Sequence, residues 1–248
     1  MKHLPSRKFL RRHGRFELKY LLTYDQACRI RERLSHFTVL DDYARARGYY
    51  VNNSLYYDTP TFIEYAEYVN GERRRRKIRL RRYDLSCSSV NFEIKHKLNR
   101  VIWKDRERID MRRAVRLIQN PWDFIDEADM GSIAQQIIPR NYEPKATVVY
   151  QRMPLTDIVS GGVRITFDYN IRCGFAEMFD RPLTINDLRV LPPGFEILEI
   201  KFQSTVPHWC QKAIKDFRLS PVTYSKYAQA IERLYNKNSI TTGPDRHG

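Results

Sequence analysis

The chain has 248 residues, 42% of them hydrophobic, with 44 Lys and Arg against 29 Asp and Glu; this suits one large or two small globular domains with a real core. A net charge of +15 calls for an anionic partner: a nucleic acid, an acidic membrane surface or a phosphorylated small molecule. No apolar run reaches the length of a membrane span, no signal-peptide core follows Met1, and Cys28, Cys87, Cys173 and Cys210 form no C-x-x-C pair, so the expectation is a soluble, cytoplasmic protein with free thiols, not a disulfide frame or a zinc knot.

Residues 1–13 are basic and aperiodic and read as a flexible arm. From Arg15 the chain alternates as a short strand, with Arg15, Glu17 and Lys19 on one face and Phe16, Leu18 and Tyr20 on the other. Thr23-x-x-Gln26 is a capping-box pattern and opens a helix to about Phe37, with Ile30 and Leu34 on its buried side. Tyr49 to Asp58 is aromatic and β-branched, hence a strand, and Thr59-Pro60 fits the entry of a short helix that ends near Val69, before the turn at Asn70-Gly71.

The strongest pattern lies between Arg73 and Arg108. Lys77, Arg79 and Arg81 alternate with Ile78 and Leu80; Asn91, Glu93, Lys95 and Lys97 alternate with Phe92 and Ile94; Lys104, Arg106 and Arg108 alternate with Trp103, Asp105 and Glu107. A period of two puts each set on one face of a strand. Eight of those nine charged positions are basic, Glu93 being the exception. A solvated sheet face normally mixes both signs, because like charges on neighbouring strands repel. Three consecutive one-signed stripes point instead to faces that converge on a polyanion.

A helical stretch follows over roughly 111–138, with Met111, Val115, Leu117, Ile118, Ile133, Ile137 and Ile138 as its packing side, and Pro139 and Pro144 end it. Strands are predicted at about 146–153, carrying Arg152, at 162–169, where Arg164, Thr166 and Asp168 share a face, and at 195–202, where Ile197, Glu199 and Lys201 do. Pro207 begins a helix to about Arg218, another spans about 224–236, and 237–248 read as a disordered tail. Neither a repeat nor a Gly/Ser linker divides the chain, so 14–236 is taken as one domain. The fold class expected is α+β. Eight antiparallel strands, each apolar on one side and charged on the other, close into a barrel. Helices must cover the apolar side, which leaves a cationic lumen. So many buried like charges are very unfavourable without an anion, and phosphates suit the forked donors of Arg. The interspersed Glu residues then serve as oxygen ligands for Mg²⁺ or Mn²⁺.

Seven motifs occur in order: Arg15-x-Glu17-x-Lys19-Tyr20, Ser54-Leu-Tyr-Tyr-Asp58, Lys77-x-Arg79-x-Arg81, Glu93-x-Lys95, Lys104-x-Arg106-x-Arg108, Glu199-x-Lys201 and Ser225-Lys226-Tyr227. The set resembles the VTC domain, the polyphosphate polymerase module of the vacuolar transporter chaperone complex and its bacterial relatives, in the triphosphate tunnel metalloenzyme (CYTH-like) superfamily. The resemblance implies an eight-stranded tunnel that binds ATP and transfers its γ-phosphoryl group to a growing inorganic polyphosphate chain, with Mn²⁺ or Mg²⁺ as cofactor. It assigns catalysis to Arg79, Arg81, Lys201 and Lys226, phosphate binding to Lys19, Lys77, Lys95, Lys104, Arg106, Arg152 and Arg164, and the metal to Glu199 chiefly, with Glu17 and Glu93 as supports. The family also has an arginine just before the basic strand, and among Arg73, Arg74, Arg75 and Arg76 the sequence does not choose it; those not chosen, and Arg82, read as solvated charge. The SPX domain and membrane spans of full-length eukaryotic members have no counterpart in these residues, so inositol-phosphate sensing and coupled translocation are not expected. Two alternatives stay open: a triphosphatase that uses water as acceptor, and a non-enzymatic polyanion-binding module. Specific nucleic-acid binding is not expected, because most of the 16 Tyr read as packing residues. A membrane-protein partner and the oligomeric state are left open.

Overall fold

The structure is a computed structural model and describes residues 14–84, 88–120, 122, 135–159, 161–180 and 188–235. The basic arm, the tail, Cys87 and Ile133 lie outside the described residues. Ten strands form one sheet: β1 (Phe16–Thr23), β2 (Thr38–Leu40), β3 (Tyr50–Asp58), β4 (Arg74–Tyr83), β5 (Ser89–Leu98), β6 (Val101–Asp110), β7 (Glu143–Asp157), β8 (Val163–Phe175), β9 (Leu188–Arg189) and β10 (Phe195–Phe202). Eight of them run in the order β1-β10-β8-β7-β3-β4-β5-β6, with β2 added on β7 and β9 on β8; every pairing is antiparallel. The sheet curls until its two end strands meet at a single bridge, where Arg15 N–H donates to Ile102 O (2.9 Å) and Ile102 N–H donates to Arg15 O (3.1 Å).

The alternating segments are strands with the expected faces, and the helices lie where apolar surface needs cover. Helix α1 (Tyr24–Leu34) begins at the Thr23–Gln26 capping box and stops three residues short of Phe37. With α4 (His208–Asp216) it packs Ile30, Leu34 and Cys210 onto Phe167, Leu198 and Ile200. Helix α3 (Met111–Gln119) covers Ile78, Leu80, Phe92 and Ile94 with Ala114 and Leu117. Helix α5 (Lys226–Leu234) differs: its Tyr227, Ala230 and Ile231 pack on Tyr56, Tyr150 and Ile197. Tyr56 is in phase with Ser54 and Ile197 with Glu199, so α5 stops one end of the lumen. No helix among the described residues is long and apolar enough to cross a membrane.

Helix α3 ends at Gln119, where Asn120 is extended, so the helix expected over 111–138 is not continuous. The helix expected to enter at Thr59-Pro60 begins only at Ile63. Two strand boundaries depart from expectation as well. Strand β7 starts at Glu143, so Pro144 sits inside a strand rather than ending a helix; it falls near the register shift at Tyr56/Tyr57, where a missing N–H is tolerated. Strand β8 runs on to Phe175 through a bulge at which Asn170 has φ 50°. Such an extra residue breaks the period of two, which is why the alternation in the sequence ends at Tyr169.

Candidate functional site

The lumen holds a cavity of about 250 Å³. Of the expected site residues, Lys19, Lys77, Arg79, Arg81, Lys95, Lys104, Arg152, Lys201, Lys226, Glu17 and Glu199 line it. Three do not. Arg164 is on the lumen side of β8 but 44% exposed, and pairs with Asp41 at the rim (3.0 Å). Arg106 is 53% exposed and donates through Nε and Nη2 to Glu93 Oε1 (3.1 and 2.9 Å). Glu93 accepts Arg79 on its other oxygen. Of the undecided arginines, Arg75 shares the face of Lys77 and lines the cavity beside Lys97. Arg76 also reaches its edge, but turns Nε to Glu64 and Tyr142 (both 2.8 Å). Arg82 is buried and donates to Phe179 O, so neither of these two is a solvated charge.

One set of the cavity's cations is held by carboxylates. Glu199 meets Lys19 (3.3 Å), Arg152 (3.1 Å), Lys201 (2.7 Å) and Lys226 (3.1 Å), which come from four different elements. Asp168 pairs with Arg152 (2.6 Å) and Lys226 (2.5 Å), and Glu17 with Lys19 and Lys95 (both 3.1 Å). Burial alone would raise the pKa of Glu17, Glu93, Asp168 and Glu199, but their cations outweigh it and hold all four below the usual carboxylate range. Lys19, Arg152 and Lys226 are raised in return, desolvation being overcome chiefly by Glu199 for Lys19 and by Asp168 for the other two.

Other cations are lowered, with or without a carboxylate beside them. Among the described residues Lys77 and Lys104 have no carboxylate at ion-pair distance. Desolvation at the half-buried Lys77 pushes its ammonium group well below the ordinary range, aided by Lys19. Lys104, an exposed residue whose amine turns to the cavity, is lowered in the same sense by desolvation and by Arg79. Lys95 and Lys97 are lowered too, again by burial first. Lys201 is pushed down to about 8, since burial outweighs Glu199. A phosphate chain in the cavity would supply the counter-charge that Lys77 and Lys104 lack.

Sequence reasoning missed the aromatic part of the lining, reading most tyrosines as packing residues. Tyr56, Tyr68, Tyr150, Tyr224 and Tyr227 line the cavity. Tyr56 and Tyr150 accept hydrogen bonds from Arg79 (3.2 Å) and Arg81 (3.1 Å), and Lys226 and Arg152 lie 4.7 and 5.3 Å from the centre of the Tyr150 ring. The signal was the parity of β3, where Ser54 and Tyr56 share a face. At the stopped end Ser225 caps α5 by accepting from Ala228 N–H (3.2 Å), takes a bond from Lys77, and sets Lys226 as the helix's first residue.

Asp58 holds this end in place. Its Oδ1 accepts from the N–H groups of Thr59 (2.7 Å) and Glu64 (2.9 Å); its Oδ2 accepts from Tyr65 N–H (3.0 Å) and Tyr227 O–H (2.5 Å). One fully buried carboxylate thus caps α2 (Ile63–Val69), whose own N-cap Phe62 gives no side-chain bond, and fastens α5 to it.

No group of three His, Cys, Asp or Glu side chains among the described residues is placed to hold a metal ion. Two carboxylates do converge: Glu17 on β1 and Glu199 on β10 share Lys19 Nζ. A pair of carboxylates completed by phosphate oxygens and water suits Mg²⁺ or Mn²⁺, whereas both Glu93 oxygens are taken by guanidinium groups.

The VTC domain family model matches residues 14–235. No curated protein matches the chain. Among solved structures, a candidate adenylate cyclase of Bacillus halodurans is similar over 90% of this chain and 100% of its own, at 13% identity and a TM-score of 0.52. The PH1819 protein of Pyrococcus horikoshii matches over 88% and 99%, at 13% identity and a TM-score of 0.47. At such identity the first of these likenesses speaks for the fold alone, an antiparallel sheet curled into a triphosphate tunnel. With the family match running from the first strand to the last helix, the chain belongs to the VTC domain family, whose function concerns polyphosphate and triphosphates.

Proposed function

We propose that the lumen binds the triphosphate of ATP and passes its γ-phosphoryl group to the end of an inorganic polyphosphate chain. The observation that carries this reading is the gathering of cations around one cavity, with Lys77 and Lys104 lacking a carboxylate at ion-pair distance among the described residues, in a chain of this family. Phosphoryl transfer asks for in-line positioning and for neutralisation of the equatorial oxygens, with little covalent work by the protein. Arg79 and Arg81 would contribute planar forks from β4, with Glu93, Tyr56, Ser54 and Tyr150 fixing their orientation. Lys201 and Lys226 face them from β10 and α5, and the first-turn N–H groups of α5 favour an anion beside Lys226. Glu17 and Glu199 would hold Mn²⁺ or Mg²⁺, which would supply positive charge to offset that of the phosphates. Lys77, Lys95, Lys97 and Lys104 form a run of similar ammonium sites, along which a polymer of identical units can slide.

The test is ³¹P NMR of the protein with ATP and Mn²⁺, with Lys201→Ala alongside. A growing internal-phosphate resonance together with ADP, absent in the variant, is the expected result. Orthophosphate without chain signal would make water the acceptor and the protein a triphosphatase. Absence of turnover, with the fold stabilised by added polyphosphate, would leave a binding module.

A further inference from the structure

A second groove, of about 620 Å³, opens where β1 and β6 meet. It shares Glu17, Ile102, Lys104 and Lys201 with the lumen cavity, so the two spaces adjoin. Among the described residues β1 and β6 pair only at Arg15–Ile102, and the groove is bordered by side chains from both faces of the wall. Lys104, Arg106 and Lys201 come from the inner face, Phe16 and Trp103 from the outer. The groove thus lies at the barrel wall, cationic on its inner side and aromatic on its outer.

The aromatic end is held in place. Trp103 stacks on His96 (5.1 Å, 9° between planes), His96 pairs with Asp105 (2.8 Å), and Phe16 stacks on Phe202 (5.6 Å, 22°). At the far end of β4 and β5 the cavity's aromatic border is Tyr68, but that ring lies under Lys77 (4.7 Å) and its hydroxyl donates to Thr223 O (3.2 Å). The lumen, at about 250 Å³, is smaller than the roughly 300–1,000 Å³ of pockets that enclose whole drug-sized ligands. If it takes the triphosphate, the nucleoside has to lie outside it.

We infer that the groove at the β1/β6 seam holds the nucleoside of the triphosphate donor, with the base against Trp103, and that Trp103 decides the preference for a nucleotide over inorganic tripolyphosphate. This rests on the triphosphate reading of the lumen. Base–aromatic stacking is sequence-tolerant, so the groove would accept any purine nucleotide with similar affinity.

Calorimetric titration of the full chain with ATP and with inorganic tripolyphosphate, each with Mn²⁺, separates the two levels of the reading. Trp103→Ala should weaken ATP by about tenfold or more and leave tripolyphosphate unchanged, and Trp103→Phe should recover most of the loss. An equal loss for both ligands, or none for ATP, overturns the groove assignment while the lumen reading stands. Failure of the unsubstituted protein to bind either ligand overturns both. Photolabelling of the unsubstituted chain with 8-azido-ATP is independent of how the variants fold: the label is expected on peptides holding Phe16 or Trp103, and label confined to other peptides overturns the assignment.

Discussion

Tyr227→Phe is the sharpest probe of how the stopped end of the tunnel is built. Asp58 is fully buried and has no cation at ion-pair distance among the described residues. Four donors hold its charge: three backbone N–H groups and the Tyr227 hydroxyl at 2.5 Å. The substitution removes the hydroxyl and leaves the ring, which still stacks on Tyr56 (5.2 Å, 29°), so packing stays and one hydrogen bond goes. A hydrogen bond to a charged group is worth roughly 1.5–3 kcal/mol. At about 2–4 °C per kcal/mol for a chain of this size, the midpoint should fall by roughly 3–12 °C. Thermal unfolding followed by circular dichroism reads this directly, and Asp58→Asn combined with Tyr227→Phe gives the coupling between the two groups. Because Lys226 precedes Tyr227, the variant should also bind tripolyphosphate more weakly. An unchanged midpoint would mean that three N–H groups satisfy Asp58 and that the apolar contacts of Ala230 and Ile231 alone hold α5 in place.

Lys201→Ala should abolish turnover at little loss of stability, since burial already disfavours its charge; loss of the fold would count against its place in the lumen. Arg81→Ala should also abolish turnover, with a slightly larger loss of stability because Ser54 and Tyr150 lose their donor. Lys201 is lowered from 10.5 to about 8 in the folded protein, and Lys77 and Lys104 are lowered as well. These lysines bind more protons in the unfolded chain above about pH 8 and so favour stability that rises with pH. Cys210, pushed up to about 12, and the raised tyrosines act in the opposite sense from about pH 9. The lysine contribution should therefore appear as a rise with pH in the difference between the ligand-free protein and Lys201→Ala. Tripolyphosphate affinity should fall as pH rises through 8, with proton uptake on binding; denaturant melts and calorimetry in two buffers check the pair, and a flat profile refutes it. Glu199→Gln frees four cations from their shared counter-charge. It should strengthen metal-free binding of tripolyphosphate and weaken the response to Mn²⁺; an unchanged Mn²⁺ titration removes Glu199 as a metal ligand.

Much of the tunnel was legible in the sequence, because a strand with one solvated or ligand-facing side writes its faces as a period of two. That parity gave the basic stripes of β4, β5 and β6, the Glu-x-Lys faces of β1 and β10, and the need for helices outside. The capping box at Thr23 was equally local. Among Arg73, Arg74, Arg75 and Arg76 the sequence left the choice open, and the pairing of Arg75 with Lys97 beside the cavity settled it. What the sequence could not hold is which partners meet across the lumen. Glu199 gathers cations from β1, β7, β10 and α5, positions that only closure of the sheet brings together. Arg164, in phase with the site, is left at the rim with Asp41 because its strand starts there. Alternation is a property of neighbours along the chain and reports the face of a strand. Charge balance inside a barrel is a property of neighbours across space, and only the tertiary structure decides which cations meet a carboxylate and which do not.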